Sequence, residues 1–194
     1  MTGEWCYWGE YLNKEKCKFI LEEGLKIEPR DSEVGVSGGK IRTDDSIRKS
    51  KVRFIEDTNT KFQWLFDDIW KLGIRTNKDF FNFHITNLSF IQLAEYDASY
   101  RGEYKTHQDV FWINNDTRHR KLTCVIQLTD PSEYEGGEFQ MSNLSSYPSE
   151  TDNIQMKKQG SAIILPSFVY HQANPVTKGT RYSLAAWFEG PKWV

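Results

Sequence analysis

Lys121-Leu122-Thr123-Cys124-Val125-Ile126-Gln127-Leu128 and Arg181-Tyr182-Ser183-Leu184-Ala185-Ala186-Trp187-Phe188 decide the fold class. Both runs are short, rich in β-branched and aromatic residues, and bounded by turn residues, which is the chemistry of strands. Comparable runs lie at residues 90–96, 137–141 and 161–165. Phe81, Phe83 and Ile85 alternate with Asn82, His84 and Thr86, so strand periodicity is expected to begin near residue 80.

Upstream the period is helical. Residues 10–27 carry Leu12, Phe19 and Ile20 at helical spacing, with Gly24 as a stop, and residues 59–73 place Phe62, Leu65, Phe66, Ile69, Trp70 and Leu72 on one face, with Gly73 at the end. A short strand is expected at Arg53–Ile55. Residues 28–50, with Pro29, Gly35, Gly38, Gly39 and many charges, read as a mobile loop able to close over a substrate, and residues 142–155 as a second loop. Helices first and antiparallel-looking strands second predict an α+β domain, a β-sandwich or jelly roll with helices packed on one sheet.

Composition narrows the function. The 194 residues carry a net charge of −2, with 27% charged and 14% aromatic residues, which is a globular composition without a basic face for nucleic acid. The longest apolar stretch, near Ala162–Leu165, is too short to span a membrane, and the N-terminus shows no signal peptide, so a cytoplasmic protein is expected. Cys6, Cys17 and Cys124 have no ligand-like spacing and are expected to be free thiols.

Three features carry chemistry. In Tyr104-Lys105-Thr106-His107-Gln108-Asp109, residues 107 and 109 point the same way on an extended chain and present a nitrogen and an oxygen to one point. His171 is a candidate third ligand, completing a set of two histidines and one carboxylate that suits Fe(II). Arg181 follows ten residues later, and the intervening Pro175–Gly179 suggests a turn that sets the two strands side by side. An arginine inside an apolar barrel is costly unless it meets an anion, and its fork suits a carboxylate. His84 and His119 are expected to be solvated, and the basic run Arg118–Lys121 to be a surface loop, at most a contact for an acidic target.

These residues, taken in order, resemble the 2-oxoglutarate- and Fe(II)-dependent dioxygenases, in particular the prolyl 4-hydroxylase-like branch with its bacterial and phage members. The motifs are Tyr96 followed by Tyr104-x-x-His107-x-Asp109, the strand Arg120–Leu128, Tyr134-Glu135-Gly136-Gly137-Glu138-Phe139, Gly160–Ser167, and His171 through Pro175-Val176 and Gly179-Thr180-Arg181 to Trp187-Phe188. Arg48-x-Ser50-x-Val52 is a looser match. The resemblance implies a double-stranded β-helix (jelly roll) in one domain, with residues 88–190 as catalytic core and residues 1–87 as helical and loop support with the first strands. It implies Fe(II) on His107, Asp109 and His171, and 2-oxoglutarate held through its C5 carboxylate by Arg181. O2 would be the second cosubstrate, with ascorbate a candidate addition. Tyr96 and Gln92, four apart on one strand, are candidates to face the cosubstrate, as are Thr123 and Gln127 with Val125, and Trp187 and Phe139. Relatives that hold the C5 carboxylate with a tyrosine near position 127 differ here, where Gln127 or Thr123 would take that part.

The implied activity is hydroxylation of an unactivated C–H bond, with peptidyl-proline 4-hydroxylation leading and 2-oxoglutarate decarboxylated to succinate. A proline-containing peptide or protein is the expected partner, a small molecule the alternative, with nucleic acid and membrane excluded. A second arginine six residues after Arg181, typical of nucleic-acid dealkylases, is replaced by Trp187. A cupin-like metal-binding jelly roll without oxygenase activity would use the same three ligands but no buried arginine. A zinc hydrolase would need a base near the metal, for which Glu138 is the candidate.

Overall fold

The computed structural model describes residues 3–36, 40–112 and 117–194. Its strands are β1 (Cys6–Trp8), β2 (Arg30–Asp31), β3 (Glu33–Val36), β4 (Lys40–Thr43), β5 (Arg48–Lys49), β6 (Lys51–Ile55), β7 (Asn87–Asp97), β8 (Glu103–His107), β9 (Arg118–Gln127), β10 (Tyr134–Gly136), β11 (Phe139–Ser142), β12 (Ala162–Pro166), β13 (Tyr170–Ala173) and β14 (Val176–Pro191). The α-helices are α1 (Lys14–Gly24), α2 (Gln63–Thr76) and α3 (Glu150–Lys157). Among the described residues the larger sheet runs β1-β12-β9-β14-β7-β6-β2, with β10 attached to β14, and a smaller sheet runs β11-β13-β8-β5. Every pairing is antiparallel. The two sheets form the jelly roll, and residues 1–87 supply strands to both of them.

The larger sheet is covered on both faces. Leu122, Cys124 and Ile126 of β9, Ile91 and Leu93 of β7, and Leu184, Ala186 and Phe188 of β14 pack with Ile20 of α1 and Leu65, Ile69 and Leu72 of α2. The alternate residues turn towards the smaller sheet. That is why β9 is buried almost without interruption although its residues alternate in chemistry: the aliphatic set meets helices and the other set lines the interior.

Several expectations need correcting. Gly73 does not end α2. The helix continues to Thr76, and Gly73 serves close packing instead: a Cβ there would lie 2.0 Å from Phe188 Cζ. Residues 80–86 are not a strand. A π-helical turn, Asn77–Phe81, runs on from α2, and Asn82 takes φ 55°. The Asn77 side chain donates to the Phe83 carbonyl and accepts from its N–H at 2.8 Å each, occupying groups that a sheet would need. Phe81, Phe83 and Ile85 still reach the core, without pairing. Residues 28–50 are not a continuous loop, since they hold β2, β5 and the β3–β4 hairpin, although Gly38 and Gly39 lie outside the described residues. Residues 142–155 include most of α3, which opens with a capping box between Ser149 and Asp152. The three cysteines are buried free thiols, as expected.

His119 and the basic run also differ from expectation. They lie on β9, not in a surface loop. His119 is buried and accepts the Trp193 N–H at 3.2 Å, while Lys121 is buried with its Nζ 3.5 Å from the centre of the Trp193 ring. His84 is exposed, as expected.

Gly73→Ala is expected to destabilise the fold by ~1–3 kcal/mol, because three Phe188 ring atoms lie within 2.8 Å of the added carbon and overpacking outweighs the gain in helix propensity. Urea unfolding checks this, and an unchanged midpoint would show that the Phe188 ring moves aside at no cost.

Candidate active site

His107 ends β8 and His171 lies on β13, and the two are direct register partners in the smaller sheet. The expected side-by-side pairing of the His171 strand with the Arg181 strand does not occur. β13 pairs with β11 and β8, while β14 lies in the larger sheet, so His171 and Arg181 face one cavity from opposite walls. Asp109 follows β8, and its N–H and that of Val110 both donate to the Ser167 carbonyl, at 2.8 and 3.1 Å. This backbone clamp joins the Asp109 loop to the turn leading into β13.

The three side chains converge. His107 Nε2 is 3.6 Å from Asp109 Oδ1, and His171 Nε2 is 3.4 Å from Asp109 Oδ2. One ligand atom from each lies within 4.8 Å of the others. Both imidazoles use Nδ1 against a backbone carbonyl, that of Lys105 at 2.8 Å and that of Val169 at 2.9 Å. A carbonyl only accepts, so Nδ1 carries the proton and each Nε2 turns a lone pair to the common point. Asp109 Oδ2 accepts from the Thr123 hydroxyl at 2.8 Å, and that hydroxyl lies 3.0 Å from Ser167 Oγ. Two neutral imidazoles and one carboxylate in this arrangement fit a divalent iron with open positions.

Burial and charge pull against each other here. Burial would raise the Asp109 carboxyl, but His171 and His107 outweigh it and hold the group well below the carboxylate range. Burial lowers His171, yet the Asp109 charge wins and raises it, while His107 remains lowered by burial.

Across the cavity, Arg181, Ser183, Ala185 and Trp187 line the wall from β14, at every second residue, with Gln92, Ala94 and Tyr96 from β7 and Thr123 and Val125 from β9. The cavity measures about 330 Å³. Arg181 is only 2% exposed, and its Nε and Nη2 both donate to Gln127 Oε1, at 3.2 and 2.9 Å. Its guanidinium carbon is 5.3 Å from the centre of the Tyr96 ring. No carboxylate pairs with it among the described residues, and a buried guanidinium with only a neutral acceptor retains N–H donors for an anion. The Gly136-Gly137 turn makes room for it. Both residues are left-handed, at φ 76° and 64°, and a Cβ on Gly137 would meet Arg181 Cδ at 3.0 Å.

The sequence candidates therefore come together. His107, Asp109, His171, Arg181, Tyr96, Gln92, Thr123, Trp187 and Phe139 all line this cavity, and Gln127 reaches it through Arg181. The Thr123 hydroxyl is committed to Asp109 and not to Arg181. Glu138 is exposed, hydrogen-bonded by Asn174, and does not line the cavity, so the zinc hydrolase reading has no base there. Sequence reasoning missed Tyr134, whose phenol burial raises and Arg181 lowers, and Arg120, which lines the cavity from β9.

A jelly roll with a buried arginine opposite two histidines and an aspartate defines the class of iron-dependent oxygenases that use a dicarboxylate cosubstrate. The sequence profile of the 2OG-Fe(II) oxygenase superfamily matches residues 91–189. A PKHD-type hydroxylase of Aliarcobacter butzleri is 33% identical over 191 residues, covering 93% of this chain and 76% of that protein. The chain belongs to the 2OG-Fe(II) oxygenase superfamily, whose chemistry uses Fe(II), 2-oxoglutarate and O2. A PKHD-type hydroxylase of Colwellia psychrerythraea is 35% identical over 94 residues, 48% of this chain. The chain spans about two-fifths of the length of that relative, and of similar ones from Prochlorococcus marinus and Synechococcus. A Pseudomonas putida prolyl-4-hydroxylase has the same fold at TM-score 0.73 and 16% identity, covering 98% of this chain and 95% of that one. A Trichoplax adhaerens prolyl hydroxylase, in complex with a hypoxia inducible factor peptide fragment, matches at TM-score 0.72 and 18% identity, covering 96% and 84%.

Thr123→Val keeps the shape of the site and removes the hydroxyl that fixes Asp109. It is expected to weaken Fe(II) binding about 10–100-fold, since groups that orient a ligand typically contribute that much. Anaerobic titration with Fe(II), or with Co(II) as a spectroscopic substitute, measures it; unchanged affinity would show that Asp109 is held by the backbone clamp alone.

Proposed function

We propose that this chain is an Fe(II)- and 2-oxoglutarate-dependent dioxygenase that hydroxylates an unactivated C–H bond, with a peptidyl proline as the leading substrate and 4-hydroxylation the leading outcome. The observation that carries the reading is Arg181, buried without an acidic partner among the described residues and facing the same cavity as the three candidate ligands. A metal-binding jelly roll without a dicarboxylate cosubstrate has no use for it. We also read residues 1–194 as one catalytic unit, because strands from residues 1–87 complete both sheets around the core of 88–190.

In this reading His107, Asp109 and His171 hold Fe(II), and Arg181 holds the C5 carboxylate of 2-oxoglutarate, with Gln127 fixing the guanidinium. Bound there, iron with 2-oxoglutarate and O2 supplies the oxidising chemistry, in which the cosubstrate is decarboxylated to succinate and the substrate gains a hydroxyl. The chain orients and shields. Nδ1–H groups tied to backbone carbonyls keep both imidazoles aimed. Val125, Ala94 and Ala185 present apolar surface that limits water around the reacting centre. The peptide assignment draws on the prolyl hydroxylase fold relatives, one of which is seen with a peptide.

The test is anaerobic addition of Fe(II) and 2-oxoglutarate, followed by visible absorbance. A charge-transfer band requiring both is expected, and Arg181→Ala should raise the 2-oxoglutarate concentration needed on the order of 10–100-fold, the value of hydrogen bonds to a charged group. Iron binding without the band would return the chain to the cupin-like reading. A panel of proline peptides, scored by hydroxylation and succinate release, then tests the substrate.

Residues 28–50 fit a cover over the peptide, since Arg30, Asp31, Ile47 and Arg48 line the cavity. A productive peptide is expected to protect this segment from limited proteolysis; equal cleavage with and without it would rule the cover out.

A further inference from the structure

A second cavity, of about 710 Å³, adjoins the first. Gln127, Phe139 and Arg181 line both. They come from the end of β9, the start of β11 and from β14, so side chains form the partition between the two spaces. His107, Asp109 and His171 line the first cavity and not the second. The second cavity therefore reaches Arg181 without passing the candidate metal ligands.

The two cavities open at different places. The first has Arg30, Asp31 and Phe111 at its rim, all exposed. The inner wall of the second is formed by Met141, Met156 and Ile163, which are buried together on β11, α3 and β12. Its rim carries Tyr147 and Ile154, 60% and 57% exposed, so it opens at α3 and the loop before it.

Cations mark the way inward. Lys157 lines the second cavity with its Nζ 5.2 Å from the centre of the Tyr134 ring, and the Tyr134 phenol faces Arg181. Of the two carboxylates on this lining, Glu138 accepts from Asn174 at 3.3 Å and Glu150 is exposed at the start of α3. Gly137 lines the cavity as well and adds no side chain to the partition.

We infer that the second cavity is an exchange port for dicarboxylates, through which 2-oxoglutarate reaches Arg181 and succinate leaves, while the substrate uses the other mouth. This rests on the oxygenase reading and deepens it. In that reading a peptide covers the mouth of the first cavity beneath residues 28–50, which blocks that way out for the succinate formed behind it. Release of product limits turnover in many enzymes, so a separate route has a kinetic use. Rotation of the half-buried Phe139 ring, or of the guanidinium with Gln127, joins the two spaces without moving a strand. The two methionines of the inner wall are flexible enough to let a ligand pass.

The experiment plugs each mouth in turn. Ile154→Cys and Phe111→Cys, singly and together, are labelled with pyrenylmaleimide, whose flat apolar ring system suits both rims. Cys6, Cys17 and Cys124 are buried, and mass spectrometry confirms that only the introduced thiols react. Association and dissociation of 2-oxoglutarate with the Fe(II)-loaded protein are followed anaerobically by stopped-flow absorbance of the charge-transfer band. The protein labelled at 111 is expected to exchange 2-oxoglutarate freely. Adding the label at 154 should slow association and dissociation alike, on the order of tenfold, and leave Kd unchanged, because a route alters rates and not the equilibrium. Thermal melts check folding, and Tyr147→Cys replaces Ile154→Cys if that variant fails. Exchange stopped by the label at 111 alone, or no further slowing by the label at 154, overturns the port. A slowing of only one of the two rates, with a changed Kd, reveals a disturbed binding site and overturns it too. Absence of the band in the unlabelled wild type overturns the oxygenase reading and this inference with it.

Discussion

The candidate site depends on one pairing, that of β8 with β13. Antiparallel register sets His107 directly opposite His171, 64 positions apart in the chain, so two imidazoles meet without either being held by a mobile loop. Asp109 lies just beyond the end of that ladder. It is fixed by the Ser167 carbonyl, which belongs to the turn entering the other strand, and by the Thr123 hydroxyl from the opposing sheet. The smaller sheet thus supplies the nitrogens, and the oxygen is positioned by both sheets together.

Burial makes this arrangement consequential. Taking charged groups out of water is expensive, so each one inside the barrel has to be matched. Asp109 is matched by two histidines and a hydroxyl, and Arg53 by Glu95. Arg181, without a carboxylate partner among the described residues, faces the cavity, and what it lacks says more about a ligand than the cavity's shape does.

Much of this was legible in the sequence. The class of fold followed from helical spacing giving way to strand-like runs, and Gln92, Tyr96, Arg181 and Trp187 were placed on inward faces because β7 and β14 keep period two through the cavity. The reading failed where local geometry breaks the period. The segment 81–86 alternates throughout yet does not pair, because the Asn77 side chain captures the Phe83 backbone. Charge argues for solvent at Arg120 and His119, and a one-residue slip in pairing with β14 leaves no mark in composition. The same limit explains why β13 was joined to the wrong neighbour: a turn between two strands shows that they are close in sequence, not that they share a sheet.

β14 has sixteen residues and is hydrogen-bonded to β7 on one side and β9 on the other along most of its length. A central strand of this kind exchanges its amide protons with solvent mainly through global opening, whereas short segments such as β5 and β11 are freed by local fluctuations. Arg181, the proposed grip on the cosubstrate carboxylate, is therefore anchored in the most cooperative part of the molecule. The candidate metal ligands, His107 and His171 on short strands and Asp109 just beyond one, stand on ground that can breathe, so loss of a bound metal need not wait for the fold to come apart.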